Sequence, residues 1–385
     1  MEVIRAWKFR IYPNGKQGKE IQTHLWISKN LWNDLLEYSK NKYKETGKFP
    51  IKTELQSMVK DSGLYSQTAQ AVSHRLYGAL LRYFRTKKKD RNAGFPRFKN
   101  MDRMKSLLYP QSGFKITERK LEVTPFGEIS IRKHREMKGK IRTLKLKRES
   151  SGKFYAIFTT NMEMTPKENK GKQIGIDLGL MNFATLSDKT IIKNPRHLKK
   201  YEERLAKRQR ELSTKENGSI RRKKQKRKVA VVYEKVRNAR RDFLHKLSLH
   251  LVNSYSFVAL EDLSIKKMTM EGLGKSINDA GWNEFANMLC YKAEEAGCRI
   301  MFVDPYGTTK ECSNCGEIAN KKLKERRHNC PSCGLSIDRD LNASINILNR
   351  ATAGQAGSNA RGVGQWADIE ARSPAHLRWE NVTTL

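Results

Sequence analysis

The segment CPSCGLSIDRDLNASINILNRA, residues 330–351, runs a cysteine pair in metal-ligand spacing straight into two acids and a helical pattern. Cys330 and Cys333 have an upstream counterpart in Cys312 and Cys315, and 14 residues separate the two pairs. Four thiolates in two such knuckles suit a tetrahedral zinc site with sulfurs about 2.3 Å from the metal. Gly316 and Gly334 follow the pairs and let the backbone turn sharply enough for amides to face the sulfurs. Such a site has no open coordination position, so this zinc is expected to be structural. Beyond Cys333, Leu341, Ile345 and Leu348 share one helical face, and Asp338 and Asp340 stand at the helix start. Asp338 at the cap would satisfy orphan amides. Asp340 must then point elsewhere, either to solvent as a complement to the helix dipole or into a site.

Two earlier acids bear on that choice. In QIGIDLGLMNFATLSD (173–188), the apolar run Ile174–Ile176 ends in Asp177, flanked by Gly175 and Gly179, and a second apolar run, Phe183 to Leu186, follows. This reads as strand, acid, turn, strand, and an acid inside an apolar hairpin is costly to bury unless paired or metal-bound. In SYSFVALEDLSI (254–265), Phe257 to Leu260 form an apolar strand ending in Glu261 and Asp262. Taken singly, the first acid reads as an edge residue facing water and the second as a strand terminus. Taken together, they are an acid after a first strand, an acid ending a later strand and an acid opening a last helix. That is the layout of an RNase H-like fold, where carboxylates from distant segments bind two divalent ions for phosphodiester hydrolysis. Mg2+ requires oxygen ligands, and the eight histidines form no HxxxH or HNH-like cluster, which argues for one nuclease centre.

The bulk properties agree. The chain has 385 residues, with 77 Lys and Arg against 40 Asp and Glu, a formal charge of +37. That excess excludes an ordinary enzyme of small molecules and points to a polyanionic partner, since neutralised phosphates release counterions. No apolar run reaches membrane-spanning length. MEVIRAWKFRIYP (1–13) has no apolar h-region and does not read as a signal peptide. Six cysteines, four of them in CxxC pairs, fit a reducing compartment better than disulfides.

Working outward, residues 1–12 alternate as a strand closed by the YPNG turn, and helical spacing covers Lys16 to Tyr43 and Tyr65 to Phe84. RTKKKDRNAGFPRFKN (85–100) interleaves cations with Phe95 and Phe98 and reads as a loop touching phosphates. Four short strands follow between residues 105 and 160, so a helical block is carried on a β-barrel. TPKENKGK (165–172) reads as a linker. From His197 to Val252 the chain is charged and helix-forming, and RRKKQKRK (221–228) is either a solvated helix face or a phosphate-tracking surface. After Thr352 the small-residue composition suggests the end of the core and a mobile tail. Trp7, Phe9, Tyr12, Trp26 and Trp32 fit core positions better than base-stacking platforms.

GIDLG (175–179), ALEDL (259–263) and DRDLNASINI (338–347) resemble the three RuvC motifs of the TnpB/OrfB family, transposon-encoded RNA-guided nucleases related to type V CRISPR effectors. PYGTTKECSNCG (305–316) with CPSCG resembles the family's zinc module, and AWKFRIYPN (6–14) and FPRFKN (95–100) resemble its start and the end of its helical insert. The resemblance implies an α/β plus β-barrel architecture. An RNase H-like RuvC nuclease with an inserted four-cysteine module would follow an N-terminal wedge barrel carrying a helical insert. The boundaries it suggests are 1–14 with 105–165 for the barrel and 15–104 for the insert. The nuclease would take 171–311, the zinc module 312–333, the third-motif helix 334–352 and a flexible tail 353–385.

By position, the resemblance implies Asp177, Glu261 and Asp340 as ligands of two Mg2+ or Mn2+ ions. Arg326 matches a family arginine that reaches the scissile phosphate, although a solvated surface arginine is the alternative. His328 departs from the family, which commonly has an aromatic there. Candidate phosphate contacts are Lys8, Arg10, Arg97, Lys99, Arg221, Arg222, Lys223 and Lys224. The implied activity is RNA-guided cutting of double-stranded DNA next to a short flanking motif, with the displaced strand entering the single cleft. The implied setting is a monomeric ribonucleoprotein in a prokaryotic cytoplasm, without a membrane partner. Competing readings are a catalytically silent RNA-guided repressor, a transposase of the same fold, and a nucleic-acid-binding module with structural acids.

Overall fold

In the computed structural model, residues 1–90, 92–263, 274–320, 325–353 and 361–362 are described. The chain forms two units: Met1–Met164 with Glu216–Val231, and Thr165–Lys215 with the residues from Val232 onward.

The first unit is a seven-stranded antiparallel sheet in the order β2-β6-β7-β1-β5-β4-β3. Its strands are β1 (Glu2–Tyr12), β2 (Ser106–Tyr109), β3 (Phe114–Ile116), β4 (Lys120–Val123), β5 (Gly127–Arg132), β6 (Lys140–Arg148) and β7 (Phe154–Glu163). Period-2 alternation sends Phe9, Ile11, Leu121, Val123, Leu144 and Leu146 into one core. Leu107 and Tyr109 from one edge strand share that core with Phe114 and Ile116 from the other, so the sheet curls into a nearly closed barrel. The Tyr109 hydroxyl closes the gap by donating to the Thr124 carbonyl at 2.8 Å.

Between β1 and β2 lie α1 (Gly15–Thr46), α2 (Lys52–Ser57) and α3 (Ser66–Lys87). Helix α1 starts in a capping box, with the Asn14 side chain accepting from the Gln17 amide at 2.8 Å and the Gln17 side chain accepting from the Asn14 amide at 3.0 Å. It stops at Gly47, whose φ of 67° suits glycine. Its first half gives Ile21 and Leu25 to the barrel core, and its second half gives Leu31, Trp32, Leu35 and Leu36 to a separate core with α2 and α3.

The second unit is a six-stranded sheet in the order β10-β9-β8-β11-β12-β15. Strands β8 (Lys172–Leu178), β11 (Tyr255–Glu261) and β12 (Arg299–Val303) run parallel. Strands β9 (Asn182–Leu186) and β10 (Ile191–Lys193) continue antiparallel from β8. Both faces are covered, which is why β11 reads as a continuous apolar run. Val258 and Leu260 meet α6 (Ile220–Ser254), α7 (Gly274–Ala280) and α8 (Trp282–Ala296) through Leu244, Leu251, Ile277, Phe285 and Leu289. Phe257 and Ala259 point the other way, to Ile347 and Ala351 of α9 (Arg339–Ala353). In β8, Ile174 and Ile176 join the first set, so Gly175 and Asp177 face α9. A Cβ at Gly175 would lie 2.1 Å from the Ser344 carbonyl oxygen and 2.8 Å from the Leu348 nitrogen, so glycine lets α9 sit directly on the strand.

Several details differ from the sequence expectations. Residues 165–172 are held as part of the second unit: the Asn169 amide donates to the Val252 and Tyr255 carbonyls at 2.9 and 3.0 Å, and the Lys167 amide donates to Glu295 at 3.2 Å. Lys172 already belongs to β8. The buried face of α9 is Ala343, Ile347 and Ala351 with Asn342, Ser344 and Asn346, while Leu341, Ile345 and Leu348 are half-buried. Most of the expected tail, 353–385, lies outside the described residues. Within it Ala353 closes α9, and β15 (Arg361–Gly362) pairs antiparallel with β12, extending the sheet beyond residue 352. Among the described residues, no helix is long and apolar enough to cross a membrane.

Candidate active site

Three carboxylates meet where the second unit's strands end. Asp177 lies at the end of β8, and Glu261 ends the neighbouring β11, one residue beyond the pairing of Leu260 with Ile176. Both face the α9 side, and the first turn of α9 presents Asp340. Burial pushes the Asp177 carboxyl well above the usual carboxylate range, and the nearby Glu261 and Asp340 push it further. Glu261 is also raised, first by burial, against the pull of its hydrogen bond from Thr308 and of the Arg350 charge. Three acids crowded in a dry corner hold their charge only if cations share the site.

Some positive charge is already there. Arg339 lies 3.2 Å from Asp340 Oδ1, and Arg326 Nη1 lies 3.6 Å from Asp340 Oδ2. Arg326 therefore stands beside the third acid, with its other terminal nitrogen 2.8 Å from the Met181 sulfur. Asp338 caps α9, accepting from the Asp340 and Leu341 amides at 2.9 and 3.0 Å, which frees Asp340 for the site. Oxygen donors of this kind fit a hard divalent cation such as Mg2+.

The four cysteines gather beside the start of α9. The Sγ atoms of Cys312 and Cys333 are 3.6 Å apart, those of Cys315 and Cys330 are 3.5 Å apart, and all four lie within 4.8 Å of one another. A tetrahedron with about 2.3 Å zinc–sulfur bonds has edges of roughly 3.8 Å, so the cluster is compatible with zinc. The Gly316 and Gly334 amides close the knuckles on the Cys312 and Cys330 carbonyls at 2.9 and 3.1 Å. The two-stranded ribbon β13 (Arg327–Asn329) and β14 (Ser336–Asp338) delivers the chain to α9, and His328 is fully buried beneath it. Among the described residues this is the single cluster of His, Cys, Asp and Glu donors drawn so tightly together.

Sequence reasoning missed the groups that hold this corner. The Thr308 hydroxyl donates to Glu261 Oε1 at 2.6 Å. Asn346 donates to the Thr308 and Glu311 carbonyls at 2.8 and 2.7 Å. Asn342 donates to the Glu311 carbonyl at 2.7 Å and accepts from the Ser313 amide at 3.0 Å. Arg350 lies 2.6 Å from Glu311 Oε2. Two asparagines four apart inside DRDLNASINI were the available signal: they share a helix face and must be satisfied if buried.

The other candidates stand in the first unit. Lys8 pairs with Glu149 at 3.2 Å and lies over the Tyr155 ring, and Arg10 lies between the Tyr12 and Tyr155 rings. The loop bearing Arg97 and Lys99 is pinned to α1: Trp32 donates to the Arg97 carbonyl at 3.2 Å, and Asn33 brackets the Lys99 backbone at 2.8 and 3.0 Å. The Lys99 ammonium sits 3.1 Å above the Trp32 ring centre. On α6, Arg221, Lys223 and Lys224 are exposed and Arg222 is half-buried. Phe9 and Trp32 are core, as composition suggested, whereas Tyr12 and Trp26 are about half exposed.

Comparison with known proteins gives three family matches: "Probable transposase" over residues 154–271, "Cas12f1-like, TNB domain" over 282–347 and "Helix-turn-helix domain" over 1–48. The last span holds one strand and one uninterrupted helix. A Streptomyces pristinaespiralis protein named "Putative RNA-guided DNA endonuclease" is 31% identical, covering 92% of this chain and 91% of its own. An Escherichia coli K12 protein named "Putative RNA-guided DNA endonuclease InsQ" is 30% identical, covering 90% and 92%. A solved complex of Cas12f1 with guide RNA and target DNA aligns over 90% of this chain and 99% of its own at 16% identity, with a loose TM-score of 0.37.

Proposed function

The chain belongs to the TnpB/OrfB family of RNA-guided DNA endonucleases, and from that premise we propose that it hydrolyses DNA phosphodiester bonds in one RuvC-like site, guided by a bound RNA. The observation that carries this reading is the convergence of Asp177, Glu261 and Asp340 from three distant segments onto one side of a mixed sheet. A central parallel trio of strands with an antiparallel hairpin and a closing helix is the RNase H-like arrangement. In this reading 312–333 is an inserted zinc module, and the first unit is a wedge barrel with 15–104 as its helical insert.

Mg2+ held by Asp177, Glu261 and Asp340 supplies Lewis acidity for the hydrolysis. The protein supplies the rest. Burial of Asp177 and Glu261 keeps bulk water away and strengthens every charge in the site. Arg326 and Arg339 hold Asp340 through exposed and half-buried guanidiniums, and Arg326 can turn to a phosphate oxygen as the strand enters. The positive surface tracks guide and target backbones, while base pairing carries the sequence information. Zinc bound by the four cysteines is structural, and the DNA substrate puts the enzyme in the nucleoid of a prokaryotic cytoplasm.

The test is cleavage of a matched plasmid by protein purified with its bound RNA. Wild type is expected to cut with Mg2+, and Asp177→Ala and Asp340→Ala to bind the target without cutting. Undiminished cutting after RNA removal, or strand-transfer products, would establish the transposase reading instead. A wild type that binds without cutting would establish the silent repressor.

A further inference from the structure

The loop Asp304–Ser313 lies between β12 and the first knuckle, and it is fastened at both ends by polar side chains that the proposed chemistry does not use. Thr308 is 1% exposed, and its hydroxyl reaches Glu261 Oε1 at 2.6 Å and the Pro305 carbonyl at 3.3 Å. The Thr308 carbonyl in turn accepts from Asn346 at 2.8 Å. The Glu311 carbonyl accepts from both Asn342 and Asn346 at 2.7 Å. Asn342 also takes the Ser313 amide at 3.0 Å, beside Cys312. Asn342 is fully buried and Asn346 is 4% exposed, so neither amide has water as an alternative partner. Asn342 stands two residues after Asp340 on the same helix. One unbroken set of hydrogen bonds thus joins Glu261, Thr308, the Glu311 carbonyl, the helix carrying Asp340 and the first knuckle.

We infer that Thr308 is the positioning residue for Glu261, and that the Asn342–Asn346 clamp makes the geometry of that carboxylate depend on the metal state of the four-cysteine site. The inference rests on the nuclease reading above. A carboxylate in a metal site needs an outer partner to fix its rotamer, and losing such a partner typically costs 10–100-fold in metal affinity or activity. Thr308 donates one hydrogen bond to Oε1 and leaves the second carboxylate oxygen for the ion. Zinc organises residues 312–316; without it the Ser313 amide leaves Asn342, the Glu311 turn loosens, and Thr308 no longer holds Glu261 in one orientation.

The test titrates the full chain, with its copurified RNA, with Mn2+ and reads the free ion by EPR; Asp177→Ala sets the background held by RNA. Thr308→Val keeps shape and removes the hydroxyl. It is expected to raise the Mn2+ concentration for half-saturation and for half-maximal cutting by about 10–100-fold, with target binding unchanged, and Thr308→Ser to restore both. Stripping zinc from wild type should weaken Mn2+ binding in the same direction, while stripping it from Thr308→Val should add little, because the two changes act through one path. Wild-type Mn2+ affinity in Thr308→Val, or no rescue by Thr308→Ser, overturns the positioning role. Unchanged Mn2+ affinity in zinc-stripped wild type overturns the dependence on the cysteine site. Wild type and Asp177→Ala binding Mn2+ alike would instead remove the nuclease reading itself, and this inference with it.

Discussion

At residue scale, adjacent positions do opposite jobs. Asp338 spends its carboxylate on two helix amides, while Asp340 faces the other acids. Asp338→Ala should therefore cost about 1 kcal/mol of stability and leave cutting largely intact, whereas Asp340→Ala should abolish cutting with little change in Tm. Thermal melts and plasmid cleavage on the pair check this. Gly175→Ala should cost about 1–3 kcal/mol and also impair cutting, because the new methyl meets helix backbone rather than a movable side chain. Lys145 tests electrostatics in the first unit. Burial, helped by Arg75, lowers its ammonium to about 7 from 10.5. The unfolded chain then binds more protons between those values, so stability rises with pH across that window and the cost is full below it. Lys145→Met should flatten this slope in urea midpoints and stabilise the unit most on the acid side. Asp177 and Glu261 were legible because each ends an apolar strand. The choice between Asp338 and Asp340 was not, because both suit a helix start and only the cap geometry separates them.

At the scale of elements, β1, α1, α3, β8 and β11 were readable because each buries enough periodic positions to leave a pattern. Strand β3, with three residues, and helix α2, with six, are shorter than any such pattern and exist through packing. Helix α9 misled for a different reason. Leu341, Ile345 and Leu348 looked like its buried face, but Asn342, Ser344 and Asn346 are the more deeply covered, because carbonyls of the preceding loop meet the asparagine amides and a hydropathy pattern assigns satisfied amides to solvent. The β13–β14 ribbon pairs only three residues per strand and so depends on the cysteines beside it. Cys330→Ser should lower zinc content from about one per chain to near zero, measured by atomic emission. Amide-exchange protection should vanish across Arg327–Asp338 and persist in the barrel.

For the whole molecule, a formal charge of +37 makes the salt response a test of what the surface is for. With six to ten phosphates neutralised, RNA affinity should fall by about 10^3–10^5-fold between 50 and 200 mM salt, and Asp177→Ala should show the same slope. A filter-binding series over that range decides it; a flat response would exclude a phosphate-tracking surface. The charge itself was plain from composition, but which cations are available was not. Lys8 and Lys99 turned out to be engaged with Glu149 and Trp32.

The position of β1 has a consequence for synthesis. It lies in the middle of its sheet, between β7 and β5, so its neighbours are residues 127–132 and 154–163. At ribosomal rates of 5–20 residues per second, a strand that leaves the tunnel first must wait on the order of 10–30 s for both partners. During that interval α1 and α3 can pair through Trp32, Leu36, Val72 and Leu76, since their core needs nothing downstream of Met104. The nascent chain therefore carries a preformed helical pair behind an unmated apolar strand, and β1 is the segment for which a ribosome-bound chaperone has a use.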